Sequence, residues 1–485
     1  MSRHLVRQRV NVRAWLATTL CGLTIATFCG GCVTKSPPTG AEIRRQALGR
    51  IDLDHPWKAT PAAADVVQDN WLGSFNDPEL DALVREAIHN NPDLHVAAAR
   101  LEQAQQYLVA AQAALRPWLG VAATGGAKAG GGGDVSSALQ GALLAASWEL
   151  DLWGRLRYGR NAAEQSYASA QADFEFARQS IAASTAKAWF TATQLSLNAA
   201  LAAEMVQSAR QLQGFAEERE RVGAGTNTET ALARAAVRNF EDTQQQVQFA
   251  RSQALRALEL LVGRYPGAEI AARAELLALP GPTPVGLPLQ MLERRPDLIA
   301  AERRVDAAFN RVGEAKASML PKITLNASVG VFSSDVLQLR QDYSNPTGGA
   351  GARLLAPIYQ GGALRAQVQI RTAEQKEAVA DYARIALRAL GDVENALAAN
   401  QSLATRVNLL TEAVGDQTRA LELTQRSAKV GRADQRAVEQ QRLNVQSARI
   451  ALLNTRTDQL AQRVNLHLAL GGSFESLERE ANAQP

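Results

Sequence analysis

The sequence predicts a mostly helical chain, internally duplicated, with a small membrane-crossing β part that one copy alone cannot close. Three observations lead there. A set of landmarks recurs in the same order at a near-constant offset. Short segments alternate apolar and polar residues with period two. Long proline-free stretches run far beyond an ordinary globular helix.

The duplication is read from the prolines. Pro92-Asp93-Leu94 opens a segment ending at Arg116-Pro117, and Pro296-Asp297-Leu298 opens one ending at Leu320-Pro321; both pairs of prolines lie 204 residues apart. Each copy continues into a Gly-rich stretch, then an aromatic followed by glycine (Trp153-Gly154; Tyr359-Gln360-Gly361), then a long Ala/Gln/Arg-rich region. Inside that region lies one Val-Gly, Val222-Gly223 and Val430-Gly431, 208 residues apart. The copies close on Leu261-Val262-Gly263 and Ala469-Leu470-Gly471-Gly472. The first repeat is placed at 77–263, a connection at 264–290, the second repeat at 291–472 and a tail at 473–485.

The N-terminus reads as an export signal over 1–31. Arg3, Arg7, Arg9 and Arg13 precede an apolar stretch from Ala14 to Phe28, which is too short for a confident membrane helix. Cys32 follows two glycines, the small-small-Cys pattern of a bacterial lipoprotein, although Cys29 stands where leucine is usual. An ordinary secretory signal cut nearby is the alternative. Val33 after Cys32, in place of aspartate, favours the outer membrane. Residues 32–76 are then an anchor and tether that packs along the body, ending near Trp71-Leu72.

Helices are expected from Asp77-Pro78 to about Asn90, and from Pro92 to Pro117 with an apolar face of Leu94, Ala97, Ala98, Leu101 and Leu108. The β pattern follows. Trp148, Leu150 and Leu152 alternate with Ser147, Glu149 and Asp151; Ile323, Leu325, Ala327, Val329 and Val331 alternate with Lys322, Thr324, Asn326, Ser328 and Gly330. Such strands are wetted on one face, and about ten residues cross a bilayer at barrel tilt. Strands are placed at about 118–129 and 139–153, and at about 322–333 and 348–359. Four strands leave edges that lipid cannot satisfy, whereas three chains would supply about twelve. A small soluble sheet capping a helical domain is the other reading.

After each hairpin the helical pattern is very long. Arg157 to Arg221 contains no proline, about 65 residues or roughly 97 Å of helix. Leu201, Met205, Leu212 and Phe215 form one stripe, and Leu403, Val407, Leu410, Val414 and Leu421 another, as in a coiled-coil seam. Return helices are expected over Glu229–Leu261 and Ala437–Leu468.

Composition narrows the classes. Net charge is +4 from 52 basic and 48 acidic residues spread along the chain, so nucleic acid is not an expected partner. All three cysteines lie within the first 32 residues, which leaves the body without disulfides or cysteine metal sites. His4, His89, His95 and His467 stand singly, and there are only four methionines, so neither a catalytic set, a metal centre nor a copper ladder is expected. The chain is read as a non-enzyme without cofactors.

In their order and repetition, Asn91-Pro92-Asp93-Leu94, Arg295-Pro296-Asp297-Leu298, Pro357-Ile358-Tyr359-Gln360-Gly361-Gly362, the Val-Gly breaks and Leu466-His467-Leu468-Ala469-Leu470-Gly471-Gly472 resemble the TolC-like outer-membrane factor family, in its lipoprotein (NodT/OprM-like) branch of efflux channels. The resemblance covers essentially the whole mature chain. It implies a homotrimer in the outer membrane, with a twelve-stranded barrel continued by a long α-helical barrel into the periplasm. It implies a passive exit duct for small toxic compounds, docked on a periplasmic adaptor and an inner-membrane pump, foremost of the RND type. It also implies diacylglycerol and N-acyl lipid on Cys32. A duct for protein secretion by an ABC exporter is the transport alternative; a coiled-coil envelope brace is the non-transport one.

Function should lie in tips and lining. The Val-Gly breaks need backbone angles that glycine tolerates, so Gly223 and Gly431 are turn residues. The resemblance makes Val222, Gly223 and Ala224, with Val430, Gly431 and Arg432, the tips that meet the adaptor. It places an acidic aperture just past the second tip, matched best by Glu439, then by Asp434, with Glu229 in the first copy. Three like charges around an axis would attract cations.

Overall fold

The computed structural model describes residues 34–53, 55–59, 67–125, 139–334 and 347–475. Cys32 and the signal segment 1–31 lie outside the described residues, as does the tail beyond 475. In chain order the elements are α1 (Gly40–Leu48), a 3-10 turn (Leu72–Phe75), α2 (Pro78–Asn90), α3 (Pro92–Ala113), β1 (Trp118–Thr124), β2 (Leu139–Leu150), α4 (Arg155–Arg221), α5 (Asn227–Val262), α6 (Pro288–Arg294), α7 (Pro296–Ala317), β3 (Lys322–Ser334), β4 (Thr347–Leu355), α8 (Ala363–Lys429) and α9 (Gln435–Ala469). No described helix is long and apolar enough to cross a membrane.

α4 and α8 each hold 67 residues, about 100 Å at 1.5 Å per residue. Their returns, α5 and α9, hold 36 and 35.

Two compact units emerge: Met1–Ala47 with Glu102–Ser169 and Glu302–Asp381, and Leu48–Leu101 with Ala170–Ala301 and Tyr382–Pro485. The first contains the sheet, whose strands run β1-β2-β3-β4, every pair antiparallel. Its registers pair Val121 with Leu144, Leu144 with Val329, and Val329 with Gly348. Among the described residues both outer strands, β1 and β4, keep one open edge.

Strand ends depart from expectation. β2 stops at Leu150, so Leu152 is not a strand residue; the Asp151 carboxylate instead caps α4, accepting from the Leu156 and Arg157 backbone N–H groups at 3.0 Å each. β4 stops at Leu355, just before Pro357 and the left-handed Gly361 and Gly362. β1 ends at Thr124, and positions 126–129 are outside the described residues.

The second unit contains an extensive apolar core. Trp71, Leu72 and Phe75 pack with Leu80, Val84, Trp189, Phe190, Leu255, Leu258, Val262, Leu460 and Val464. Phe75 lies 5.3 Å from Phe190 between ring centres. The tether does pack: Trp57 is buried, its indole N–H shared between the Val285 and Gly286 carbonyls at 3.2 and 3.1 Å. It also holds a helix not expected from the sequence reading, α1, opened by Thr39 and Glu42 in a reciprocal cap.

Candidate functional site

Residues directly opposite in a sheet share a face, so register sorts the side chains. One face is apolar throughout: Leu119, Val121 and Ala123 on β1; Ala142, Leu144, Ala146, Trp148 and Leu150 on β2; Ile323, Leu325, Ala327, Val329 and Val331 on β3; Gly348, Ala350, Ala352 and Leu354 on β4. The other carries Thr124, Ser147, Glu149, Lys322, Thr324, Asn326, Ser328 and Arg353, interspersed with small residues and with Trp118, Leu143 and Leu355. There Ser147 donates to Asn326 at 3.0 Å. On the apolar face Val121 is 75 % exposed and Leu119 69 %. A soluble cap would bury that face and wet the other; here, among the described residues, much of it stays exposed. The sheet is therefore built with its oil side outward.

Aromatics gather at the strand ends next to the helices. Trp148 donates to the Leu115 carbonyl at 3.0 Å and Trp153 to the Pro321 carbonyl at 2.6 Å, while Tyr359 stands exposed. Amphipathic rings at this level mark a membrane–water boundary.

The two helix reversals share one geometry. At the first, the Ala224 N–H reaches the Arg219 carbonyl at 2.8 Å and the Gly223 N–H reaches Glu220 at 3.0 Å; at the second, Arg432 reaches Ser427 at 2.8 Å and Gly431 reaches Ala428 at 3.1 Å. These are paired Schellman closures, with Gly223 at φ +74° and Gly431 at φ +73°. A Cβ at either glycine would meet no atom within 4 Å, so the backbone angle, not crowding, demands glycine. Three residues on, each return helix is capped. Thr226 and Glu229 form a capping box, and Asp434 accepts from the Arg436 N–H at 2.9 Å. Val222 and Val430 are exposed.

The acidic candidates occupy different settings. Glu229 is half-exposed and belongs to the capping box. Asp434 is half-exposed and paired with the Arg436 guanidinium at 2.7 Å. The Arg436 backbone N–H and then its side chain, helped by Arg219, hold the Asp434 carboxyl below its usual range. Glu439 is buried: with the Gln211 amide of α4 turned so that its nitrogen donates, as the surrounding acceptors require, that nitrogen lies 2.7 and 3.0 Å from the Glu439 oxygens, one of which is 3.3 Å from Arg442. In this structure it fills a helix–helix contact, not an open surface.

Glu439 begins a polar ladder between α4 and α9. Gln446 donates to Glu204 at 3.2 Å, Asn454 accepts from Gln194 and Asn198 at 2.6 and 2.9 Å, and Lys187 donates to Asn465 at 3.0 Å. Sequence reasoning missed this ladder, and it missed Arg219, which donates to the Ala224 carbonyl at 2.8 Å, lies 3.9 Å from Glu229 and bears on Asp434. The available signal for Arg219 was a basic residue in the last turn of a long helix.

Among the described residues no group of three or more metal-binding side chains converges. The family model for outer membrane efflux proteins matches residues 83–264 and again 287–472. The chain belongs to the outer membrane efflux protein family. OpmQ of Pseudomonas putida, a pyoverdine export outer membrane protein, is 31% identical over 94% of this chain and 98% of its own. OprJ of Pseudomonas aeruginosa, an outer membrane protein, is 29% identical over 85% and 88%. The crystal structure of the outer membrane protein VceC of Vibrio cholerae superposes with TM-score 0.73 at 27% identity, over 84% of this chain and all of its own. OprN superposes with TM-score 0.76 at 23% identity, over 91% and 100%. The expected fold class, a helical chain giving four strands to a trimeric twelve-stranded barrel joined to a helical barrel, is that of these efflux channels. The apolar face of the sheet is then the lipid face, and the polar face lines the bore. This efflux channel belongs in the outer membrane, as the exit of a tripartite pump.

Proposed function

We propose that three copies of this efflux channel form the duct of an RND-type pump, passing small toxic or secreted compounds from a periplasmic adaptor to the exterior. The observation that carries the reading is the sheet: one wholly apolar face, one polar face and two open edges, which lipid tolerates only in a closed barrel. That same face disfavours an envelope brace. Relatives named for pyoverdine, antibiotics and toluene support a small-molecule cargo over a protein one.

In this reading Val222, Gly223, Ala224, Val430, Gly431 and Arg432 meet the adaptor, as matched exposed reversals suit a repeated docking surface. The aperture is acidic. Asp434 and Glu229, both half-exposed, supply its charge, and Glu439 sets the contact behind it. Acyl chains on Cys32 tether each copy to the outer membrane; mass spectrometry of the mature N-terminus tests this directly. The decisive experiment replaces Gly223 or Gly431 by aspartate. Efflux should be lost while heat-stable trimers remain in the membrane; persisting efflux would move the docking surface elsewhere.

A further inference from the structure

The bore-lining face of the sheet carries an unbalanced charge. Its charged residues, among those described, are Glu149 on β2, Lys322 on β3 and Arg353 on β4. Glu149 is already neutralised: Arg155 grips both carboxylate oxygens, at 3.0 and 2.7 Å. Lys322 and Arg353 have no acidic partner among the described residues, and Arg353 is exposed.

The two cations are neighbours by register. Glu149, Thr324 and Arg353 stand in one row across three strands, and Lys322 faces Leu355 in the adjacent row, nearer the helix that precedes β3. Diagonal neighbours of this kind are about 7 Å apart, within reach of one another's long side chains. Both rows lie at the strand ends that adjoin the helices, level with Trp148 and Trp153, so the pair sits at the inner end of the bore.

Barrel geometry then sets their reach. Twelve strands about 4.8 Å apart and tilted about 40° enclose a backbone radius of about 12 Å. Lysine and arginine extend about 6 Å from the wall, which puts their charges about 6 Å from the axis. That is inside the roughly 8 Å Debye length at physiological salt, so a solute crossing the bore cannot avoid them. Three chains repeat the pair three times, without a free carboxylate on the same face among the described strand residues.

We propose that Lys322 and Arg353 form a basic collar at the inner end of the barrel that favours small organic anions, those bearing carboxylate or phosphate groups, over cations of similar size. The proposal rests on the trimeric-duct reading and adds a substrate preference to it. Simple solvation would explain one polar residue on a wetted wall. It does not explain two adjacent unpaired cations where the only carboxylate among the described strand residues of that face has been neutralised.

The test uses full-length trimers in planar bilayers under a tenfold KCl gradient, comparing wild type with Lys322→Gln, Arg353→Gln and the double variant. The chloride-to-potassium permeability ratio should fall about threefold in the double variant and part-way in each single, and block by added citrate should weaken about tenfold. Lys322→Arg with Arg353→Lys, which keeps both charges, should retain wild-type selectivity. Unchanged selectivity and citrate block in the double variant, with unitary steps still present, would overturn the collar. Should the double variant not assemble, the two single variants carry the same comparison. Loss of selectivity in the charge-keeping pair would also overturn it. Absence of unitary steps in the wild type would instead bring down the duct reading, and the collar with it.

Discussion

Trp189 donates its indole N–H to the buried Asp77 carboxylate at 3.0 Å, and Arg273 reaches the other oxygen of that carboxylate at 2.8 Å. The same group caps α2 through the Glu79 N–H at 3.1 Å. One side chain thus joins a helix start, a core aromatic and the connection between the repeats. Replacing Asp77 by alanine orphans all three partners at once and should destabilise the channel by about 3–5 kcal/mol. Asp77→Asn, which can still accept from Trp189, should cost less, about 1–3 kcal/mol. Denaturant melts followed by Trp fluorescence would read the difference; equal losses would mean that the charge carries the whole contribution and the accepting oxygen none.

Glu439 and Asp434 make opposite predictions. Burial between α4 and α9 means that Glu439→Ala leaves Gln211 and Arg442 unpaired and should cost about 2–3 kcal/mol. Asp434→Asn should leave stability nearly unchanged but weaken divalent-cation block of the conductance. Were Glu439→Gln the substitution that relieved block, the aperture would have to expose it.

His467 should make stability pH-dependent. It stacks on Trp71 at 6.2 Å and meets Thr283 at 3.2 Å. Burial, and secondarily the Arg463 charge, push its pKa down to about 4 from 6.5. Between those values the unfolded chain binds the extra proton, so stability falls as pH drops from 6.5 toward 4, by up to about 3 kcal/mol. Asp306 works with the other sign: burial lifts its pKa to about 6, so acidification relieves its charge. The difference between wild type and His467→Phe therefore isolates the histidine. Thermal melts at pH 7 and 5 should show a smaller acid loss in the variant; parallel losses would refute the assignment.

The register of the sheet can be tested by a matched pair. Val121→Arg places a charge on the apolar face and should cost about 2–4 kcal/mol of membrane stability near the midplane. Ser328→Arg, on the polar face, should assemble normally. The reverse outcome would require a one-residue slip.

Much of this was legible in residue patterns. Period-two alternation over Lys322–Val331 located β3 to within a few residues, and proline-free Arg157–Arg221 located α4. Side-chain burial was less legible. The stripe Leu201, Met205, Leu212 and Phe215 is only half-covered in one chain, while Ala202, Val206 and Ala209 beside it are buried. An alanine-rich helix packs its small residues inward, so size is a poor guide to the buried face. On α3 only Leu94 of the expected face is fully buried. Glu439 looked like a surface acid because its partner, Gln211, lies over two hundred residues away. Thr39-x-x-Glu42 is a capping pattern and Ile43 and Leu48 give α1 a buried face, so this helix was legible in the segment read as a plain tether.

The open edges of β1 and β4 have a kinetic consequence. A lone copy could not rest in the bilayer with those backbone groups unpaired, so insertion and association must be a single event. The folded channel should then lack a stable membrane-bound monomer, and its formation should depend steeply on the concentration of unassembled chain reaching the membrane. A mixture dominated by a defective subunit would be depleted of product far beyond the defective fraction, since one poor edge stops the ring.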